Sequence, residues 1–161
     1  RLVIPFFDEN NKMFAFQGRS FNSENPKYIT IIINPEMDKV FGLNRIDKNK
    51  PLFAVEGPID SLFLDNCIAV AGADFNKLPL DYTIIFDNER RNKKILKQID
   101  KTIDRGYKVV LWPDDIKEKD INDMILSGKT KQEIKSIIQN NSYQGNMAKI
   151  RLTTWRKINV K

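Results

Sequence analysis

The sequence contains no histidine and only one cysteine, Cys67. Those absences remove the usual zinc sites, imidazole acid–base catalysis and any internal disulfide. A metal in this chain would need oxygen ligands, which points to Mg²⁺, Mn²⁺ or Ca²⁺. No apolar run approaches the roughly 20 residues of a membrane-spanning helix, and no signal peptide opens the chain. Internal repeats and low-complexity stretches are also missing. What remains is 161 residues, 41% hydrophobic, with a formal net charge of +6 and a pI near 9.4. That composition describes a folded protein of one domain, or one domain with an appendage. The basic excess fits a polyanionic partner, or simply a lysine-rich solvated surface. The chain begins at Arg1 and enters a strand-like run at once, as expected of a piece of something longer.

Residues 1–50 read as a first unit. Arg1–Phe7 is a strand, 8–12 a turn, and Met13–Phe16 a returning strand that closes on Gly18, with Arg19 just beyond. A polar loop over 22–26 leads to a β-branched run over 28–33. Arg19, Lys27, Lys39 and Arg45 recur near turns, as scattered surface cations also do. A charged linker over 47–50 ends the unit.

Residues 51–128 alternate in character. Strand-like runs cover 52–55, 68–71, 83–86 and 109–112. Between the last two, 92–105 is predicted to be a helix with Ile95, Ile99 and Ile103 on one face and Gly106 as its stop. Apolar runs separated by helices predict a parallel sheet covered on both faces, with ligands at the carboxyl ends of its strands. The first strand ends in Glu56, followed by Gly57 and Asp60. The third ends in Asp87 and then Glu89, and the fourth leads through Asp114 and Asp115 to Asp120. Acids gathered at one rim repel one another unless cations neutralise them. Each could equally be an ordinary helix N-cap.

Residues 129–161 form a third segment. Thr130–Glu133 is a capping box opening a helix that buries Ile134, Ile137 and Ile138, and Asn140, Asn141 and Gly145 end it. Alternation of Ile150 and Leu152 with Lys149, Arg151 and Thr153 then predicts a strand-like basic extension over 147–160. Trp155, beside Arg156 and Lys157, either stacks a base or packs at the domain edge.

Three motifs stand in order: Val55-Glu56-Gly57-Pro58-Ile59-Asp60, Ile84-Ile85-Phe86-Asp87-Asn88-Glu89 and Lys119-Asp120-Ile121-Asn122-Asp123. Together they resemble a Toprim domain, in which a glutamate-glycine follows the first strand, an Asp-x-Asp the third, and a further acidic motif the fourth. The first 50 residues, with Gly18-Arg19, Pro26-Lys27-Tyr28 and Val40-Phe41-Gly42-Leu43, resemble the piece preceding Toprim in DnaG-type primases. The abbreviated central region and the Lys-, Ile- and Asn-rich composition lean towards a phage replication primase. The fold class implied is α/β: a Toprim domain over 51–128, with a parallel sheet of about four strands, preceded by a small α+β basic subdomain over 1–50. Departures from the pattern are Glu89 for the second aspartate, Arg90-Arg91 where small glycines are usual, Asn122 for an acid, and Thr30 where asparagine is common.

The resemblance implies template-directed synthesis of short RNA primers from NTPs on single-stranded DNA. Two Mg²⁺ or Mn²⁺ ions, about 3.5–4 Å apart in such sites, would activate the attacking hydroxyl and stabilise the leaving pyrophosphate. The implied catalytic set is Glu56, Asp87, Glu89 and Asp120; the same four residues, with Asp60, are the implied metal ligands, and Glu56 is either a ligand or a general acid/base. No zinc is expected in this chain. Arg19, Lys27, Arg45, Arg90, Arg91 and Lys93 are the candidate nucleotide- or template-binding residues. A replicative helicase and a single-strand-binding protein are the implied partners, in the cytoplasm of a host cell if the protein is phage-encoded. Competing readings are another Toprim enzyme that cleaves phosphodiesters, a decayed nucleic-acid-binding module, and a receiver-type domain with Asp87 as phosphoacceptor.

Overall fold

The structure, a computed structural model, describes residues 1–22, 25–72 and 74–157. Part of the polar loop expected over 22–26, and the end of the extension expected to reach Val160, lie outside the described residues. Strands β1 (Leu2–Phe7), β2 (Met13–Arg19) and β3 (Tyr28–Ile32) form an antiparallel sheet in that order. Its hairpin follows from asparagine and aspartate chemistry at the turn. Asp8 Oδ1 accepts from the backbone N–H groups of Asn10 and Lys12, both at 2.9 Å, and Asn11 takes the left-handed conformation with φ of 61°. The inner side chains Ile4, Phe6, Phe14 and Ala15 are buried against Met37, Phe41, Leu43, Ile59 and Ala71.

The second sheet has five strands in the order β5-β4-β6-β7-β8. Strands β4 (Leu52–Val55), β5 (Cys67–Ala69), β6 (Tyr82–Ile85) and β7 (Lys108–Val110) are parallel, as the continuous apolar runs predict. The fifth, β8 (Ser142–Tyr143), was not expected; it pairs antiparallel with β7 and covers what would otherwise be an open edge. Phe41 joins the two sheets. It bridges to Ala69 and stacks edge-on against Phe6, with ring centroids 5.5 Å apart. The chain leaves β4 towards β5 on one side and returns to β6 on the other. The crevice at the carboxyl ends of β4 and β6 is therefore the topological switch point, where α/β sheets bind their ligands.

Helix α1 (Pro58–Ser61) is one turn with proline at its first position. Helix α2 (Lys93–Asp104) buries Ile95, Ile99 and Ile103 as the i+4 spacing requires, with Asn92 as its N-cap. Gly106 follows its end with φ of +92°, a conformation that favours glycine. Helix α3 (Ile121–Leu126) starts at Asp120, and α4 (Lys131–Asn140) opens on the expected Thr130–Glu133 capping box.

The last segment departs from expectation. Gly145, predicted to end a helix, begins α5 (Gly145–Trp155), and the strand-like reading of this stretch is wrong over its described residues. Ala148, Leu152 and Trp155, spaced by four and three, are buried, while Ile150 is 62% exposed. The apparent Ile150–Leu152 alternation therefore counted one solvent-facing residue as core. Trp155 packs rather than stacking a base. It is 6% exposed, and its Nε1 donates to the Trp112 carbonyl at 2.9 Å, while Trp112 Nε1 donates to Phe86 O at 2.9 Å. These side chains, with Ile134 and Ile138, belong to the same core as the parallel sheet.

Trp155→Ala should therefore lower unfolding free energy by about 3–5 kcal/mol, the usual cost of deleting a buried tryptophan. Urea denaturation measures it; a change below about 1 kcal/mol would show that α5 does not hold the core.

Candidate active site

Register places the acids. Val55 pairs with Ile85, so Glu56 and Asp87 leave adjacent strands within two residues of the sheet edge. Glu56, Asp87 and Glu89 line one polar pocket of about 340 Å³ together with Lys94 and Lys119. Asp60 and Asp120 do not line it. Asp60 folds back over Gly57, where a Cβ would lie 2.6 Å from its Oδ2, so a side chain there would push the Asp60 carboxylate aside. Its Oδ1 accepts from the Asn122 backbone N–H at 2.9 Å. Asp120 Oδ1 accepts from Asp123 N–H at 2.8 Å and caps α3. Asp60 thus braces the first motif against the third, while Asp120 performs the cap that the alternative reading foresaw. Asp114 belongs elsewhere: it pairs with Arg90 and, at 3.4 Å, with Lys157.

The pocket is electrostatically crowded. Glu56 Oε1 is buried with no hydrogen-bond partner. Burial chiefly, then the neighbouring Asp87 charge, lifts the Glu56 carboxyl from its ordinary 4.5 to about 7. Asp60 rises to about 6, again mainly through burial, and Asp87 moves up for the same reason. Lys119, not foreseen as a site residue, answers this charge with its Nζ 2.9 Å from Glu89 and 3.3 Å from Asp87. Its signal was present, since it immediately precedes Asp120 in the third motif. Among the described residues no three acidic or cysteine side chains converge closely enough to hold a metal ion as they stand.

The basic candidates divide. Arg19 and Lys27 lie close to the Tyr28 ring, at 5.8 and 5.7 Å. Arg45 lies over Phe41 at 4.9 Å and donates to Ser61 Oγ and Cys67 O, both at 3.4 Å. Arg90 is 11% exposed and donates to the Trp112 and Pro113 carbonyls at 2.6 Å each. Arg45 and Arg90 are thus engaged by the fold itself. Arg91 and Lys93 are exposed; Arg91 lines an outer cleft beside Glu89 with Lys117 and Lys157.

The assembly of a three-stranded sheet and a mainly parallel sheet with acids at the switch point is the fold of DnaG-type primase catalytic cores. A solved DnaG catalytic core matches with a TM-score of 0.69 over 96% of this chain and 62% of that one, at 16% identity. A DnaG primase catalytic domain bound to single-stranded DNA matches with a TM-score of 0.65 over 87% of this chain and 51% of that one, at 18% identity. In sequence, the chain is a relative of the DNA primase of Enterobacteria phage T4, 42% identical over 165 residues. That match takes in 98% of this chain and 48% of the phage protein, so the chain spans about half its relative's length. No protein-family model matches the chain. The resemblance to a phage primase of the DnaG type, and the α/β fold that it implied, are borne out.

Raised carboxyl pKa values have a signed consequence for stability. Glu56 and Asp60 keep protons in the folded protein at pH values where the unfolded chain has released them. Stability in chelator should then fall as pH rises from the ordinary carboxyl range to about 7. Thermal melts between pH 5 and 8 in EDTA test this; Glu56→Gln should flatten the fall, and a wild-type curve rising across that window would contradict it.

Proposed function

We propose that the chain is the catalytic core of a phage DNA primase, joining NTPs into short RNA primers on a single-stranded DNA template. The observation that carries this reading is the pocket of Glu56, Asp87 and Glu89 at the switch point, in a chain 42% identical to a phage DNA primase. No helix among the described residues is long and apolar enough to cross a membrane. The work belongs in the host cytoplasm, with a replicative helicase and a single-strand-binding protein as partners.

The donor set fits a hard divalent cation. All its groups are oxygens, one of them, Glu56 Oε1, is buried without a partner, and the cluster carries more negative charge than Lys119 alone balances. Glu56, Asp87 and Glu89 would hold Mg²⁺ or Mn²⁺, with Asp120 and Asp60 closing the set if two ions bind. Such ions supply Lewis-acid stabilisation of the reacting phosphoryl group and a more acidic attacking hydroxyl. The chain's own residues do the rest. Glu56 is either a ligand or a general acid/base; in the metal-free pocket burial lifts its carboxyl to about 7, within reach of proton uptake near neutral pH. Asp60 fixes the Glu56–Gly57 turn against α3, which keeps the first motif aligned with the third. Arg19 and Lys27, both close to the Tyr28 ring, form a basic aromatic ridge suited to a strand's phosphates and bases. Arg91, in the cleft that Glu89 also lines, and exposed Lys93 add positive charge, whereas Arg45 and Arg90 act through the fold.

A primer-synthesis assay with labelled NTPs and mixed single-stranded templates, in Mg²⁺ or Mn²⁺, tests the reading. Glu56→Gln should lower synthesis by about 10²-fold or more while leaving single-stranded DNA binding nearly intact. A fully active variant would remove Glu56 from the mechanism, and cleavage of labelled DNA in place of synthesis would favour a Toprim nuclease.

A further inference from the structure

Lys119 is held in a way that an ordinary surface lysine is not. Its carbonyl accepts from Asn88 N–H at 2.6 Å, and Asn88 Nδ2 donates to the Ile116 and Glu118 carbonyls at 3.1 Å each. Asn88 sits between Asp87 and Glu89, so the second acidic motif itself staples down the loop that carries Lys119. The neighbouring Glu118 is fixed in turn by Ser127 at 2.7 Å and Lys129 at 3.0 Å. The Glu89 carboxylate is steadied by Asn92. Both the backbone under Lys119 and one of its acidic targets are therefore set, and the long side chain is the adjustable part. It is 53% exposed, against 23% for Asp87 and 28% for Glu89. The ammonium can leave the pocket without carrying the loop with it.

Its position is also the one a cation needs. A single Nζ reaches Asp87 and Glu89 at once, and Glu56, whose Oε1 is buried without a partner, lines the same pocket. Among the described residues, Lys119 makes the ion pairs of Asp87 and Glu89, and Glu56 has none. Lys94 also lines the pocket but forms no ion pair with these acids; one paired ammonium against three carboxylates is incomplete compensation, and a divalent ion supplies twice its charge from a smaller volume.

We propose that Lys119 is the resident counter-ion of the acidic pocket, and that a divalent cation binds there by displacing its ammonium from Asp87 and Glu89. This deepens the reading of the pocket as a cation site and rests on it. The lysine keeps the metal-free pocket from bearing its full repulsion and, in exchange, weakens metal affinity. Lys119 is thus a positioning residue that tunes metal loading rather than a group acting on the reacting atoms.

Mn²⁺ binding, followed by electron paramagnetic resonance of the free ion at pH 8 and low salt, tests this without reference to activity. Lys119→Met and Lys119→Gln should each bind Mn²⁺ roughly three- to tenfold more tightly than wild type, the size expected when one or two partly exposed ion pairs no longer compete. Lys119→Arg, which keeps the charge, should gain nothing. Wild-type binding that stays equal or becomes weaker in both uncharged variants would overturn the counter-ion role alone. No Mn²⁺ binding by wild type or any variant would overturn the metal reading and this inference with it.

Discussion

The mutual repulsion of carboxylates drawn to one sheet edge is the constraint on which the site depends. A parallel sheet turns both faces towards helices, so a polar site can form only at the ends of its strands. Register between β4 and β6 then sets Glu56 and Asp87 on neighbouring strands. Burial lifts the Glu56 and Asp87 carboxyls above their usual range. Nothing in a hydrophobic core relieves such crowding. Relief comes from protons and from Lys119, and on the proposed reading from a metal that would compete for the same oxygens.

The surroundings are arranged around that crowding. Gly57 makes space for Asp60, whose carboxylate reaches across to the start of α3. Asn88 ties the second motif to the loop of the third. Arg90 gathers the Trp112 and Pro113 carbonyls, and Trp155 donates to the first of these from α5. The three acidic motifs, far apart in sequence, are thereby fixed by hydrogen bonds among the residues beside them. One oxygen of Glu56 is left without a partner inside this framework, an arrangement that favours function over stability.

Much of this was legible in the sequence because the signals were local. The i+4 isoleucines of α2, the capping box of α4 and the apolar runs of the parallel strands each declare themselves within a few residues. Glu56, Asp87 and Glu89 were legible because each follows a strand. Other features depended on long-range contacts. The strand β8 is two residues long and exists only through β7. Helix α5 was misread because Ile150 is apolar yet solvent-facing, and only the tertiary contacts of Ala148, Leu152 and Trp155 reveal the helical period. The structural tasks of Arg45 and Arg90 are likewise set by carbonyls distant in sequence. Lys119 was in plain view inside a motif, but nothing local shows that its side chain turns back to Asp87 and Glu89.

The claim that this rim is a divalent-cation site is tested most directly by the anomalous scattering of a crystal soaked in Mn²⁺ at pH 8. The predicted result is a peak within coordinating distance, about 2.0–2.3 Å, of carboxylate oxygens from Glu56 and Asp87, with the Lys119 ammonium withdrawn from both Asp87 and Glu89. A pocket without a peak at saturating Mn²⁺, with Lys119 still bridging the two acids, would contradict it.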